Sequence, residues 1–197
     1  MERVVESDAA GAAAAAADHI ARLLAEALRE RGHASLAVSG GTTPWLMLAR
    51  LAQAALDWPN VDLLQVDERM APDGSDDRNL THLQAALAGT PAAAARLHAM
   101  DCGAPDTEAD AAAAAYVPVI ESLGGPIDIV HLGLGDDGHT ASLAPGDPVL
   151  DVTDTPVAAT AHPFNGHRRV TLTYPAINGA RTVVWLVAGA AKVDALT

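Results

Sequence analysis

The sequence is poor in the residues that stabilise proteins by covalent or aromatic contacts. Cys102 is the only cysteine among 197 residues, so neither an internal disulfide nor a thiolate metal cluster can form. A low cysteine content is typical of proteins in a reducing cytosol. Six residues are aromatic, whereas alanine makes up about a fifth of the chain, well above ordinary usage. A core of alanine, valine and leucine requires closely packed layers.

Basic residues are also scarce. Lys and Arg number 12 against 25 Asp and Glu, which gives a formal net charge of −13. Because such a surface repels nucleic acid and anionic membranes, we expect neither as a partner, and an anionic small ligand needs a locally basic site. No apolar run reaches the roughly 20 residues that span a bilayer. We therefore expect one globular domain over residues 1–197, cytoplasmic, and a monomer or weak homodimer.

Short β-branched runs alternate with longer Ala- and Leu-rich stretches along the chain. The runs that predict strands are residues 4–5, 35–38, 61–66, 96–99, 127–132, 156–161, 169–173 and 182–187. The stretches that predict helices are residues 8–31, 44–56, 78–87 and 106–123, the last interrupted or bent near Pro118. Residues 67–77 predict a polar loop. The alternation predicts an α/β protein with a mostly parallel sheet and helices on both faces, whose ligands bind at the carboxyl ends of strands.

Residues 39–44 (SGGTTP) form the first unusual loop, between a predicted strand and a predicted helix. Gly40 and Gly41 allow the backbone to approach an anion closely, while Ser39 and Thr42 add hydroxyl donors and the helix N-terminus adds unpaired N–H groups. The loop matches neither the P-loop nor the dinucleotide fingerprint. It is either a phosphate cradle or an ordinary tight turn.

Charged residues mark a second loop and two further strand ends. Asp67, Glu68 and Arg69 follow the strand at 61–66. They are either a solvated loop or a functional group in which Arg69 binds a phosphate or carboxylate and the two acids orient it. Arg169 begins a predicted strand and Lys192 follows the last one. Each of these two cations is either solvated surface charge or part of an anion site.

The third loop, residues 133–142 (GLGDDGHTAS), follows the most convincing strand. Its glycines, including Gly138, indicate a backbone that bends tightly. His139 beside the Asp137 carboxylate is a natural general base near neutral pH. The segment supplies too few ligands for a metal, so we expect none. We expect the other histidines to be surface or packed residues, with His131 hydrogen-bonded inside its strand.

Together these segments resemble the 6-phosphogluconolactonase family, within the superfamily of glucosamine-6-phosphate isomerases/deaminases. The matching pieces, in the family's order and spacing, are SGGTTP at 39–44, VDER at 66–69 with Asn79 downstream, LGLGDDGHTAS at 132–142, RVTLT at 169–173, and Ile177-Asn178 through Arg181 to Gly189 and Lys192. The resemblance implies a modified Rossmann-like three-layer fold. It also implies hydrolysis of 6-phospho-D-glucono-1,5-lactone in the pentose phosphate pathway, without a metal or redox cofactor.

The resemblance also implies roles for individual residues. His139 would be the general base that activates water, and Asp137 would orient it. The residues implied to bind the phosphate and sugar oxygens of the substrate are Ser39, Gly40, Gly41, Thr42, Asp67, Arg69, Gly138, Arg169 and Lys192.

Two other functions are alternatives. An aldose–ketose isomerase/deaminase of an amino-sugar phosphate needs a carboxylate a few residues after the histidine, and residues 140–146 contain none. A non-catalytic sugar-phosphate-binding domain of a transcription regulator needs a basic DNA-binding helix, which this acidic chain lacks. The sequence departs from the family at Ala144, where Phe is usual. It stops at Thr197, so we expect it to lack the family's C-terminal helix and strand.

Overall fold

The computed structural model describes residues 2–103 and 105–196, and within them eight strands form two sheets. In chain order the strands are β1 (Ala34–Val38), β2 (Val61–Gln65), β3 (Asp67–Arg69), β4 (Arg96–His98), β5 (Ile129–Leu132), β6 (Val157–Ala159), β7 (Arg169–Leu172) and β8 (Thr182–Trp185). The helices are α1 (Ala9–Arg31), α2 (Thr42–Leu51), α3 (Asn79–Leu87), α4 (Ala109–Ser122), α5 (Tyr174–Gly179) and α6 (Val193–Leu196).

The larger sheet has the strand order β4-β2-β1-β5-β8, and every neighbouring pair is parallel. All residues of β1 and β5 are buried, because their aliphatic side chains pack against layers on both faces. The carboxyl ends of these strands therefore lie at one edge of the sheet, where the loops after β1, β2, β5 and β8 meet.

Each end of α1 is fixed by a residue of a type that commonly ends helices. The Asp8 carboxylate accepts the Gly11 N–H at 2.7 Å, which caps the first turn. Gly32 adopts φ 75° and its N–H bonds to Leu28 O at 2.8 Å, which ends the helix. The small side chains of Ala13 and Ala17 are fully buried, so α1 approaches its neighbours closely.

Two layers cover the parallel sheet. On one face, residues of α1, α2 and α3 pack with Leu36 of β1 and Leu63 of β2 into one apolar cluster. On the other face, Ala37 and Leu64 pack with residues of α4 and of the smaller sheet. The predicted three-layer α/β fold with a mostly parallel central sheet and helices on both faces is confirmed.

The smaller sheet is antiparallel, in the order β3-β7-β6. Residues 67–69, predicted to lie in a polar loop, are its strand β3, and Arg69 pairs directly with Arg169 of β7. The prediction was wrong because consecutive charges indicate solvent, whereas the side chains of Asp67 and Glu68 are buried. This pairing brings two of the predicted anion-binding cations side by side.

Several other boundaries differ from the sequence prediction, and helix α5 was not predicted. Residues 4–5 form no strand and are 65% and 73% exposed, because two apolar residues among charged neighbours have nothing to pair with. Helix α2 ends at Leu51 rather than at residue 56. Helix α4 continues without interruption through Pro118 to Ser122. Within the described part of the chain, no helix has the length and hydrophobicity to cross a membrane.

Candidate active site

A cleft of about 420 Å³ opens at the carboxyl edge of the parallel sheet, between the two sheets. The loops after β1, β5 and β8 form one side, and β3 and β7 contribute the other. The sequence-predicted residues that line it are Ser39, Gly40, Gly41, Thr42, Asp67, Arg69, His139, Arg169 and Lys192. Asp137 and Gly138 are not among the described residues that line the cleft, and both directly precede His139 in its loop.

The loop at 39–44 ends in the open N-terminus of α2. Gly41 precedes the helix with φ 129°, and no side chain caps the first N–H groups of α2. These donors and the positive end of the helix dipole therefore face the cleft without an internal partner. Ser39 is buried, and its Oγ donates to His131 O at 3.1 Å. The geometry is that of an anion cradle.

Buried His131 of β5 contacts the loop at 39–44 through Ser39. Its Nδ1 accepts the Ser39 N–H at 3.4 Å, so it is hydrogen-bonded inside β5, as predicted. Burial lowers the pKa of His131 to about 4. The ring is therefore neutral near pH 7, with Nδ1 available as an acceptor.

His139 and Asp137 form a short hydrogen-bonded pair. His139 Nδ1 lies 2.5 Å from Asp137 Oδ1, which also accepts the His139 backbone N–H at 3.2 Å. Because the carboxylate accepts from Nδ1–H, the imidazole is held in the tautomer that leaves a lone pair on Nε2. Burial raises the pKa of Asp137, but the hydrogen bonds from His139 outweigh it, so the pKa lies below its ordinary value.

Two glycines shape the His139 turn. A β-carbon on Gly135 would lie 2.0 Å from His139 Nδ1, so only glycine leaves room for the ring. Gly138 adopts φ 86° and its N–H bonds to Gly135 O at 3.2 Å. The contribution of Gly138 in this structure is the tight turn that places His139 at the cleft.

The two acids beside Arg69 do not contact its guanidinium, so they do not orient it as one of the two sequence interpretations had it. Asp67 accepts from Ser142 Oγ at 2.6 Å and from the Asn79 side chain at 3.3 Å. Arg69 instead donates through Nη1 to Asp77 O at 2.6 Å. Its Nε is buried and has no hydrogen-bond partner among the described residues. A backbone carbonyl therefore holds Arg69 and leaves its positive charge uncancelled.

The carboxylate of Glu68 does not bind the Arg69 guanidinium. It binds the N-terminus of helix α3 instead. It is fully buried and accepts the N–H groups of Asn79 and Leu80 at 2.8 and 2.7 Å. The guanidinium of Arg78 lies 3.2 Å from the same carboxylate. The negative charge is thereby stabilised by a helix N-terminus and a buried cation. This contact fixes the start of α3 and with it the position of Asn79.

Arg169 and Lys192 complete the basic side of the cleft. Arg169 is only 4% exposed, and burial lowers its pKa. Its Nη1 lies 3.9 Å from Asp67 Oδ2, while Nε and Nη2 donate to Phe164 O at 3.2 and 3.0 Å. Lys192, in a 3₁₀ turn after β8, pairs with Asp136. Three cations therefore face one cleft in a chain of strongly negative net charge.

Asn79 and Phe164 were not predicted as site residues. Asn79 lines the cleft and donates to Asp67 O at 3.0 Å. Its place downstream of the VDER segment was a usable signal, because a polar residue opened the following helix. Phe164 had no such signal. Across the described residues, no group of three or more His, Cys, Asp or Glu side chains is arranged to hold a metal ion.

Comparison with known proteins agrees with this geometry. Residues 7–197 match the family described as glucosamine-6-phosphate isomerases/6-phosphogluconolactonase. The chain belongs to this family. The motif resemblance and the expectation of an enzyme of this family are both confirmed.

Two curated members of the family illustrate the similarity. The chain is 39% identical to the 6-phosphogluconolactonase of Synechocystis sp. over 179 residues, which cover 88% of this chain and 74% of that protein. It is 38% identical to the 6-phosphogluconolactonase of Rhizobium meliloti over 189 residues, which cover 93% and 81%.

Solved structures show the same likeness in three dimensions. A 6-phosphogluconolactonase from Shewanella baltica superposes with a TM-score of 0.88 at 30% identity, covering 97% of this chain and 82% of that chain. The 6-phosphogluconolactonase from Trypanosoma brucei gives a TM-score of 0.84 at 28% identity, with coverage of 96% and 82%.

Proposed function

We propose that this chain hydrolyses 6-phospho-D-glucono-1,5-lactone to 6-phospho-D-gluconate, as a single domain over residues 1–197 acting in the pentose phosphate pathway. One observation carries the proposal. The free Nε2 of the His139–Asp137 pair lies in the same cleft as an open helix N-terminus and three cations. A base for water and a site for a phosphate dianion are the two requirements of this reaction.

Phosphate binding is the task of the cradle at 39–44 and the basic residues. Backbone carbonyls hold the guanidinium groups of Arg69 and Arg169, so the positive charge of each group remains available to an anion. Charge-assisted hydrogen bonds are about twice as strong as neutral ones. Binding energy from the remote phosphate then orients the lactone carbonyl toward the activated water.

Hydrolysis needs no covalent enzyme intermediate, because a δ-lactone is already an activated ester. His139 Nε2 takes a proton from water while the water oxygen bonds to the carbonyl carbon. Backbone N–H groups or a neighbouring cation stabilise the tetrahedral oxyanion. The bond between that carbon and the ring oxygen then breaks, and the ring oxygen takes the proton from His139. The product acid ionises at neutral pH.

Isomerisation or deamination of an amino-sugar phosphate is less well supported. Asp147 is the first carboxylate after His139 in the sequence. Its oxygens accept the backbone N–H groups of Val149, Ala161 and His162 at 2.9, 3.1 and 3.1 Å. These bonds commit Asp147 to loop structure, so the first carboxylate that follows His139 is not left to shuttle protons with it.

The test is the rate of lactone opening above the spontaneous rate in buffer. We expect the wild-type chain to accelerate opening of the phosphorylated lactone, and His139→Gln to lower kcat by at least about 100-fold while 6-phosphogluconate still binds. Wild-type protein that binds 6-phosphogluconate yet adds nothing to the buffer rate would refute hydrolysis. Retained activity in His139→Gln would refute the base.

A further inference from the structure

Phe164, the only phenylalanine of the chain, contacts both the base and one cation of the site. Its ring centroid lies 4.8 Å from that of His139, with the ring planes at 71°. The guanidinium carbon of Arg169 lies over the same ring, 4.8 Å from its centroid. Phe164 is not among the described residues that line the cleft. It therefore acts through the two side chains that do line it.

A two-residue turn fixes the position of Phe164. Asn165 and Gly166 have φ of 51° and 88°, and the Phe164 N–H bonds to His167 O at 2.8 Å. Positive φ at both central residues is the pattern of a type I′ hairpin, for which Asn-Gly is the favoured sequence. The turn leads directly into β7, so the ring is tied to the strand that carries Arg169.

Phe164 holds Arg169 without cancelling its charge. The carbonyl of Phe164 accepts two guanidinium N–H groups and its ring offers a π face, while the carboxylate of Asp67 is 3.9 Å from Nη1. A neutral carbonyl and a ring quadrupole attract a cation but add no negative charge. The 3.9 Å ion pair with Asp67 is longer than a hydrogen bond, so it competes less with an anionic ligand than a hydrogen-bonded carboxylate would. This arrangement suits a cation that must bind phosphate.

The same ring limits the motion of His139. Asp137 fixes the imidazole through Nδ1, and Gly135 gives it room on one side. Contact with Phe164 at 71° is the edge-on arrangement that aromatic rings favour. The His139 imidazole can therefore rotate away from the cleft only by losing its contact with the Phe164 ring.

We propose that Phe164 is a positioning residue that couples the orientation of His139 to that of Arg169. This inference rests on the proposed lactone hydrolysis. It places the base and the phosphate-binding cation at a fixed separation, which aligns the lactone carbonyl with the activated water.

The test compares Phe164→Leu, which keeps an apolar side chain, with Phe164→Tyr, which keeps the aromatic ring. We expect Phe164→Leu to raise KM about five- to tenfold through Arg169 and to lower kcat about three- to tenfold through His139. Phe164→Tyr should remain within about twofold of wild type. Tyr174→Leu, an exposed aromatic position in α5, is the matched control and should leave both constants unchanged. Circular dichroism establishes that each variant is folded.

Adding Phe164→Leu to an Arg169→Ala variant separates the contact of Phe164 with Arg169 from its contact with His139. In Arg169→Ala, the added Phe164→Leu change should no longer raise KM but should still lower kcat. The proposal is overturned if Phe164→Leu matches wild type, or if Phe164→Tyr loses as much activity as Phe164→Leu.

Calorimetric binding of 6-phosphogluconate distinguishes this failure from failure of the proposed function. If wild type binds the ligand but does not hydrolyse the lactone, the function falls, and weaker binding by Phe164→Leu than by Phe164→Tyr still supports the contact with Arg169. If wild type is active and Arg169→Ala is impaired while Phe164→Leu is not, the coupling falls and the function stands. Absence of both binding and turnover refutes both.

Discussion

Gly40 lies so close to Asn79 that a β-carbon on it would be 2.1 Å from Asn79 Oδ1. The anion cradle and the start of α3 are therefore in direct contact. The Asn79 side chain in turn donates to Asp67 O at 3.0 Å. The glycine is required by this neighbour as well as by the backbone approach of a ligand.

A methyl group at this position should disrupt the cleft. In Gly40→Ala, Asn79 must move and lose its buried hydrogen bond, so we expect a loss of about 1–3 kcal/mol in the free energy of unfolding. We also expect kcat/KM to fall about tenfold or more. Urea unfolding and lactone kinetics measure the two effects. Gly125→Ala is the control, because nothing lies within 4 Å of its added methyl. Equal behaviour of the two variants would contradict the contact.

Asp137→Asn should lower kcat with little change in KM. The amide can turn its NH₂ group toward His139 Nδ1 and donate to it, which moves the ring proton to Nε2 and removes the lone pair there. We expect kcat to fall about 10- to 100-fold, and steady-state kinetics measures it. Asp154→Asn, at an exposed position, is the control. A purely KM-based defect would argue that Asp137 binds substrate instead.

The pKa of Asp137 also predicts a pH dependence. Because that pKa is lowered in the folded protein, the carboxylate stays ionised until the pH falls below its ordinary value near 3.8. Titration of Asp137 should therefore contribute no loss of activity between pH 7 and 5, and a carbon-13 NMR titration of its carboxyl group should show a midpoint below 3.8. A midpoint of that carboxyl titration above 3.8 would contradict this assignment.

Arg69→Ala should weaken binding of phosphorylated ligands selectively. Loss of one charge-assisted contact corresponds to about 1.5–3 kcal/mol, or roughly a 10- to 100-fold rise in KM for the phosphorylated lactone. Unphosphorylated glucono-1,5-lactone should show the same weak turnover with wild type and variant. Arg22→Ala, on the exposed face of α1, is the control. An equal loss with both lactones would place Arg69 at the sugar rather than at the phosphate.

His131 should make folding sensitive to acid. Burial lowers its pKa from 6.5 to about 4 in the folded state, so below pH 6.5 the unfolded chain binds a proton that the folded chain does not. The free energy of unfolding contributed by this group therefore falls as the pH drops from 6.5 to 4, by about 2 kcal/mol between pH 7 and 5.

Unfolding in urea at both pH values measures this effect. His131→Gln should be less stable than wild type at pH 7 but should lose about 2 kcal/mol less on acidification. His33→Gln, at an exposed position, should lose stability in parallel with wild type. Parallel curves for His131→Gln and wild type would contradict the buried neutral histidine.

The sequence predicts that the cleft residues converge, because the strands that precede them can be recognised from short local runs of aliphatic residues. Aliphatic runs form parallel strands, and the loops after their carboxyl ends must meet at one edge. Residues 39–44 and His139 could be brought together on that argument alone. Their individual contacts could not, since the partners of Gly40 and Gly135 are side chains that only the folded loops bring near.

Charged and aromatic residues explain most of what the sequence did not predict. Glu68 is indistinguishable from a solvated acid until the N-terminus of α3 and Arg78 are placed around it. The contacts of Phe164 likewise depend on residues that only folding brings near it. Its Asn165-Gly166 turn is readable from sequence, but the two rings and the guanidinium meet only through tertiary packing.

Lys192 lines the cleft and forms an ion pair with Asp136, which is not among the described residues that line it. An incoming ligand that reaches Lys192 must replace a carboxylate already in contact with it. At the same distance, a phosphate dianion attracts Lys192 more strongly than the single charge of Asp136 does, whereas a monoanion attracts it no more strongly. A dianion is therefore better suited than a monoanion to take the place of Asp136 beside Lys192.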